Sequence, residues 1–367
     1  MSPRQRALAE AVLVPLATIG FAFLVSGLVV LIIGENPLIV ARLMIAGSLG
    51  SSEGLGYTLF YTTDFIFAGL AVAVAYQAGL FNIGADGQAY VAGLGVTLMA
   101  IALPGLSPWL LLPLCVGAGA GAGALWAFIP AWLQARRGSH IVITTIMFNW
   151  LATDLMSYLL VNVLRPKGDM QPESAALPAG ARMPAFSHVA RAFGLNLTPT
   201  PLNGAFILAL LAAFGVWLWL FRTRSGYGLR VAGVNRRAAA YAGISASAMI
   251  IVAMLVSGAL AGGVAVNEVM GSQGRLLIDF TSGFGFVGIA VALMGRGHPL
   301  GVVLAGVLFG MLYQGGAELA FDVPAVTRDM ILVIQGLVVY FAGALEGLFR
   351  ARIRALLAGR AAAVVAS

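Results

Sequence analysis

Ten runs of apolar residues, parted by short groups of charged or turn-forming residues, fill most of the chain: 11–33, 57–79, 88–104, 108–133, 140–162, 201–221, 246–267, 283–295, 299–317 and 329–345. Most approach the ~20 residues with which a helix crosses a hydrocarbon core of ~30 Å. The pattern predicts an all-α polytopic membrane protein with about ten transmembrane helices. The run at 283–295 is short and glycine-rich, which predicts a broken or partly re-entrant helix of the kind transporters use to bring backbone groups to the bilayer midplane. The stretch 36–52 carries Arg42 and is expected along the interface.

The basic residues orient these runs. With the N-terminus inside, Arg4, Arg6, Arg136, Arg137, Arg222, Arg224, Arg230, Arg236, Arg237, Arg296, Arg350, Arg352, Arg354 and Arg360 all fall on the cytoplasmic side, and seven basic residues fall outside. Both termini are therefore expected in the cytoplasm. Four of the outer seven (Arg165, Lys167, Arg182, Arg191) lie in one proline-rich connection, 163–200, which reads as an irregular extracytoplasmic cap. The first run is too long and lacks the small-residue cleavage pattern of a signal peptide, so it is expected to stay as an anchor. The whole chain, 1–367, reads as one transmembrane domain with a cytoplasmic connection at 222–245.

Composition narrows the class further. The chain is 60% hydrophobic and 10% charged, with mean hydropathy +0.95, against ~25% charged in ordinary soluble domains. Its 47 glycines suit close helix approach in lipid. The net charge of +7 sits in short clusters between spans, as orientation signals do, rather than on a nucleic-acid-binding face. Cys115 is the only cysteine, and His140, His188 and His298 are far apart, so neither a disulfide framework nor metal-ligand spacing exists. The single lysine, Lys167, follows Pro166, which excludes a GxxxxGK[ST] phosphate loop. No HExxH motif occurs. The chain is not expected to be an enzyme, and no cofactor is expected in it.

Several polar groups interrupt the apolar pattern. Gly79-Leu-Phe-Asn-Ile-Gly-Ala-Asp-Gly-Gln88 sets Asn82, Asp86 and Gln88 between two spans. Such side chains at membrane depth either cap a tight turn or line a solute path. Asp64 and Asp154 fall inside spans, where pairing between helices and a functional role both remain open. Thr145 and Asn149, four apart, share a helical face that could meet Asn82 and Gln88. Asn267, Glu268 and Gln273 read as a solvated outer loop. Residues 222–237 carry five arginines and no acid, and 235–244 predicts a short helix with Asn235 as its N-cap. An internal echo links Phe67-Ala-Gly-Leu-Ala-Val-Ala73 to Phe286-Val-Gly-Ile-Ala-Val-Ala292; duplication and chance composition explain it equally well.

Three blocks carry a family resemblance. Gly79–Gln88 (GLFNIGADGQ), Gly138–Asn149 (GSHIVITTIMFN) and Gly226–Asn235 (GYGLRVAGVN) with Ala238–Ile244 together resemble the permease subunits of the simple-sugar and nucleoside branch of bacterial ATP-binding-cassette importers. The second block is similar to that of the larger permease of nucleoside importers served by a basic-membrane-protein-type lipoprotein, departing from it at Ile141 and Phe148. The resemblance implies a ten-helix permease of the bacterial inner membrane that carries a nucleoside, a related small polar solute or a simple sugar inward. The polar side chains set between apolar spans predict a solute path that includes Asn82, Asp86, Gln88, Thr145 and Asn149. Contact with a cytoplasmic ATPase falls to Arg230, Asn235, Arg236, Arg237, Tyr241 and Ile244, with Tyr241 and Ile244 on one helical face. The partners implied are that ATPase, which binds ATP and Mg, a second related permease completing a heterodimeric pore, and an extracytoplasmic solute-binding protein or lipoprotein. The competing reading is an ion-coupled secondary transporter using Asp64, Asp86 and Asp154, which has no need of an arginine-rich coupling loop.

Overall fold

The computed structural model describes residues 13, 17, 20–32, 34–192, 194, 198–322, 333, 336, 337, 340, 341 and 352. Almost all of the run 329–345, the start of the run 11–33, and Arg4, Arg6, Arg350, Arg354 and Arg360 lie outside them.

Helices follow the apolar runs closely, and their starts are set by local caps. Helix α1 covers 20–32, and α2 (Pro37–Leu49) lies at 115° to it. The Asn36 side chain accepts from Leu38 N (2.9 Å) and Pro37 supplies the fixed φ of a first turn. Helix α3 (Ser52–Gln77) opens on the Ser51 hydroxyl, and α4 (Ala85–Ala102) opens after the polar turn. Helix α5 (Pro108–Arg137) begins at a proline and stops at Gly138, whose φ of 70° is left-handed. Helix α6 (Ile141–Asn162) completes the first half. After the cap segment, with its short α7 (Phe186–Ala192), come α8 (Ala205–Arg222), α9 (Arg224–Val234), α10 (Arg236–Tyr241) and α11 (Ala246–Ala265). Helix α11 runs on as a π-helix, Val266–Gln273, before α12 (Phe284–Met294) and α13 (Pro299–Asp322).

Among the described residues six helices are long and apolar enough to cross a membrane, or seven if α1 and α2 form one bent span. The runs of α4 and α12 fall short for physical reasons. Helix α4 carries Asp86 and Gln88 in its first turn, and α12 has 11 residues, or ~16 Å at 1.5 Å per residue. Isolated bridges at Glu173–Leu277 and Ala185–Asn203 are the only strand-like pairings described.

The described residues divide into two compact units, 51–311 and the two ends taken together, 1–50 with 312–367. In the unit of the ends, Gly47 leaves room for the Glu318 side chain, Gly315 lies against the Met44 carbonyl, and Gln314 Nε2 donates to Glu318 Oε1 (3.0 Å). In the larger unit α3 is central and buried along most of its length. The most extensive contact there joins α5 to α11 through glycines spaced four apart, Gly119 and Gly123 against Gly258 and Gly262. The two echo segments also meet: a Cβ at Gly69 would lie 2.8 Å from Val291, and one at Gly288 would lie 2.6 Å from Ala68. Their shared small residues serve one helix–helix contact.

The cap at 163–200 is tied to the π-helix and to the segment after it. Ser174 N donates to Leu276 O, Leu177 N to Gly274 O and Met183 N to Met270 O (2.8–3.0 Å), and Arg275 pairs with Glu173.

Candidate functional site

The polar turn ahead of α4 forms a buried knot. Asn82 Oδ1 accepts from Gly84 N (2.8 Å), which tightens the turn, while Asn82 Nδ2 donates to Gln88 Oε1 (3.0 Å) and to Ser257 Oγ on α11 (2.8 Å). Ser257 in turn donates to Ala71 O on α3 (2.6 Å). Four segments are therefore joined through one asparagine. Asn149 on α6 clasps the same turn from the other side: its Nδ2 donates to Ile83 O (2.9 Å) and its Oδ1 accepts from Gly87 N (3.0 Å). Thr145, one turn earlier, donates to Ile141 O and packs against Gly84. The expected meeting of the Thr145–Asn149 face with the turn is thus present, and all five of these side chains are buried.

Asp86 points elsewhere. Its Oδ1 accepts from Gly285 N (3.1 Å) and its Oδ2 from Thr281 Oγ1 (3.3 Å), so it sits on the first turn of α12. Asp86 belongs to the first turn of α4, so its carboxylate joins the starts of α4 and α12. Gly285 has no space for a side chain because its Cβ would overlap the Asp86 backbone. Half-helix α12 is thereby pinned to α4 at its start.

A second polar network lies outside the residues expected from sequence. Asn267 Nδ2 donates to Asp64 Oδ2 (2.8 Å) and to Phe60 O (3.1 Å), and Asn267 Oδ1 accepts from Asn203 Nδ2 (3.0 Å). Glu268 contacts Asp64 and accepts from Gln273 Nε2 (3.1 Å). Asn267 and Glu268 are buried, which corrects their reading as a solvated loop. The helix does not end at 265; it widens into the π form, and the extra residue per turn rotates both side chains inward. Asp64 is thus paired across helices.

Asp154 behaves differently. It is exposed on α6, and no hydrogen bond or ion pair joins it to any described residue.

On the loop side, Asn235 Oδ1 accepts from Arg237 N (3.0 Å) and Ala238 N (3.1 Å), which makes it the expected N-cap. The helix it starts is shorter than 235–244. It stops at Tyr241, and Gly243 (φ 73°) turns the chain so that Ile244 N bonds Ala239 O (2.9 Å). Tyr241 and Ile244 consequently do not share a helical face. Tyr241 is 95% exposed and Ile244 packs against Gly228. Arg236 and Arg237 are exposed, whereas Arg230 folds back, its Nε donating to Leu220 O (3.1 Å) and its guanidinium 4.8 Å from the Phe221 ring centre. Helix α9 reaches the polar turn directly. Gly233 lies backbone to backbone on Gln77–Gly79, and a Cβ on Gly79 would stand 2.7 Å from Gly233 O. Gln77 Nε2 also donates to Gly297 O beyond α12 (2.9 Å). A cavity of about 530 Å³ opens at this junction, lined by Tyr76, Gln77, Leu80, Phe81, Arg230 and Val234 among others.

Among the described residues no cluster of three His, Cys, Asp or Glu side chains could hold a metal ion. What the geometry offers is a helix-joining polar core with a rigid contact to an arginine-rich loop. Comparison with known proteins agrees with that character. The chain is 34% identical over 331 residues to the glucose ABC transporter permease protein TsgB13 of Haloferax volcanii, covering 89% of this chain and 86% of that one. It is 36% identical over 329 residues to the guanosine ABC transporter permease protein NupP of Bacillus subtilis, covering 88% and 91%. The same organism's guanosine ABC transporter permease protein NupQ is also similar, 26% identical over 268 residues, covering 69% and 78%. Residues 54–343 match the family described as branched-chain amino acid transport system / permease component, and the chain belongs to that family of multi-pass membrane permeases.

Proposed function

We propose that this permease subunit of an ATP-binding-cassette importer carries a nucleoside, with guanosine the first candidate, into the cytoplasm. The solute follows from likeness to NupP, and the match to both NupP and NupQ supports a pore built from two different permeases. Likeness to TsgB13 favours a second reading, a simple sugar such as glucose. An ATPase on the inner face and an extracytoplasmic binding protein complete the assembly. The whole chain acts as one permease domain of ten spans with both termini in the cytoplasm, a topology the arginine distribution supports.

The observation that carries the mechanism is the backbone contact of Gly233 on Gln77–Gly79. A push on α9 and α10 has no soft side chain to absorb it there, and it arrives a few residues before Asn82. Moving that turn bears on α3, α6 and α11 through the Asn82, Ser257 and Asn149 bonds and on α12 through Asp86. Asn82, Asp86, Gln88, Thr145 and Asn149 serve the solute path in this reading by setting the positions of the helices around it. The arrangement gives ATP hydrolysis a route to helices of the membrane region.

Reconstitution with the ATPase, the second permease and the binding protein tests both parts. Uptake of labelled guanosine should require ATP hydrolysis. Asn82→Ala should lower the uptake rate at least tenfold while the complex still purifies and hydrolyses ATP at its basal rate. Normal uptake by this variant, or a loss that tracks failed assembly, removes the turn from the mechanism. Uptake that proceeds on an ion gradient without the ATPase removes the importer reading itself.

A further inference from the structure

Asp154 is a carboxyl group where a membrane-spanning chain has least reason to keep one. It lies ~4 Å past the midpoint of the 22-residue helix α6, at 1.5 Å per residue. The buried acids inside the spans of this unit bond within the chain: Asp64 with Asn267, Glu268 with Gln273 and Asp86 with Gly285 and Thr281. Asp154 is exposed and joined to no described residue. A carboxylate against hydrocarbon is costly, and acids at this depth face a wet cavity or a polar partner. Its neighbours on the same face decide between these. Trp150 and Tyr158, one turn below and above at the i, i+4 spacing, are 65% and 61% exposed. Two aromatic faces with an acceptor between them form a stacking and hydrogen-bonding surface for a ring compound.

We propose that the Trp150–Asp154–Tyr158 face of α6 contacts the solute in transit, the rings stacking on its ring and the Asp154 carboxylate accepting from its N–H or O–H groups. This deepens the transport reading and rests on it. The class of solute it fits is a neutral ring compound rich in donors, and the negative charge disfavours a phosphorylated one. The face needs no contribution from the buried knot around Asn82, which explains how the path can be polar although that knot is closed.

Two measurements on the assembled complex test it. In proteoliposomes with labelled guanosine, Asp154→Asn is expected to raise KM about tenfold, with basal ATP hydrolysis and co-purification of both permeases unchanged. Trp150→Ala should raise it severalfold, Trp150→Phe should restore most of the loss, and Trp109→Ala, on an exposed residue of α5, should leave it unchanged. An unaltered KM in Asp154→Asn overturns the proposal, and so does loss of the second permease, which would make Asp154 a contact between subunits. The second measurement does not depend on the cargo. A cysteine replacing Asp154 in a chain carrying Cys115→Ala should react with a water-soluble methanethiosulfonate reagent at the rate of a wetted site. No reaction overturns the proposal even where guanosine uptake is normal. Absence of ATP-driven guanosine uptake by the unaltered complex, with the cysteine reactive, rejects guanosine as cargo and leaves the wetted acid face standing.

Discussion

Leucine in place of Gly258 is expected to abolish the folded chain, while leucine at Gly121 should leave it intact. A Cβ at Gly258 would overlap the carbonyl oxygen of Gly123, and the next atoms around it belong to the same backbone and to Ala127. Neither helix can yield by changing a rotamer, so α5 and α11 must separate along the seam that also holds Gly119 and Gly262, where a Cβ on Gly262 would be 2.9 Å from Gly119 O. Overpacking a core costs ~1–3 kcal/mol when side chains can shift. Here the loss should exceed that range, because separation of backbones removes the whole small-residue contact on which helix association in lipid depends. Gly117 and Gly121 occupy the alternate positions of the same Gly-Ala run and have nothing within 4 Å. Size-exclusion profiles and melting curves of purified chain in detergent check the contrast. A stable, monodisperse Gly258→Leu chain would disprove the seam.

The same run shows where reading by sequence stops. Gly-Ala-Gly-Ala-Gly-Ala-Gly announces a close helix contact, and the ends of α3, α5, α6 and α13 were visible within a few residues because apolar runs in lipid admit little else. Which glycines touch depends on the direction of α5 relative to α11, and that direction arises from contacts distant in sequence. The polar groups divide in the same way. Asn82 as a turn former was legible because its partners, Gly84 and Gln88, are local. Its bond to Ser257, 175 residues away, was not. Glu268 looked solvated because apolar character falls at Asn267, where a span would ordinarily stop. The π-helix carries the chain on, and the polarity goes inward to Asp64 and Asn203. Nothing in the sequence distinguishes Asp64 from Asp154, two acids in similar apolar surroundings, one buried and paired and the other exposed.

Tyr241→Ala is expected to uncouple transport from ATP more completely than any charge removal on the same loop. Permeases without a nucleotide site receive the work of hydrolysis only by contact, and in the proposed coupling the large exposed side chains of α10, Arg236, Arg237 and Tyr241, provide it. The tyrosine is 95% exposed, and Val234 beside the Asn235 cap is 89% exposed, an apolar pair at the rim of a strongly basic surface. Aromatic anchors seated in a partner's groove carry more binding energy than rim charges, which act mainly on association rate and salt dependence. Tyr241→Ala should therefore reduce co-purification of the ATPase at least tenfold and bring ATP-driven uptake to background. Arg237→Ala should weaken co-purification severalfold at low salt and make little difference as salt is raised. Both variants should fold, because neither side chain supports the helix; the cap is Asn235 and the stop is Gly243. If Tyr241→Ala retains the ATPase but loses uptake, the tyrosine transmits force through Gly233 rather than providing adhesion. If it retains both, the motor docks elsewhere on the chain and the route from α10 to the Asn82 turn is not the one ATP uses.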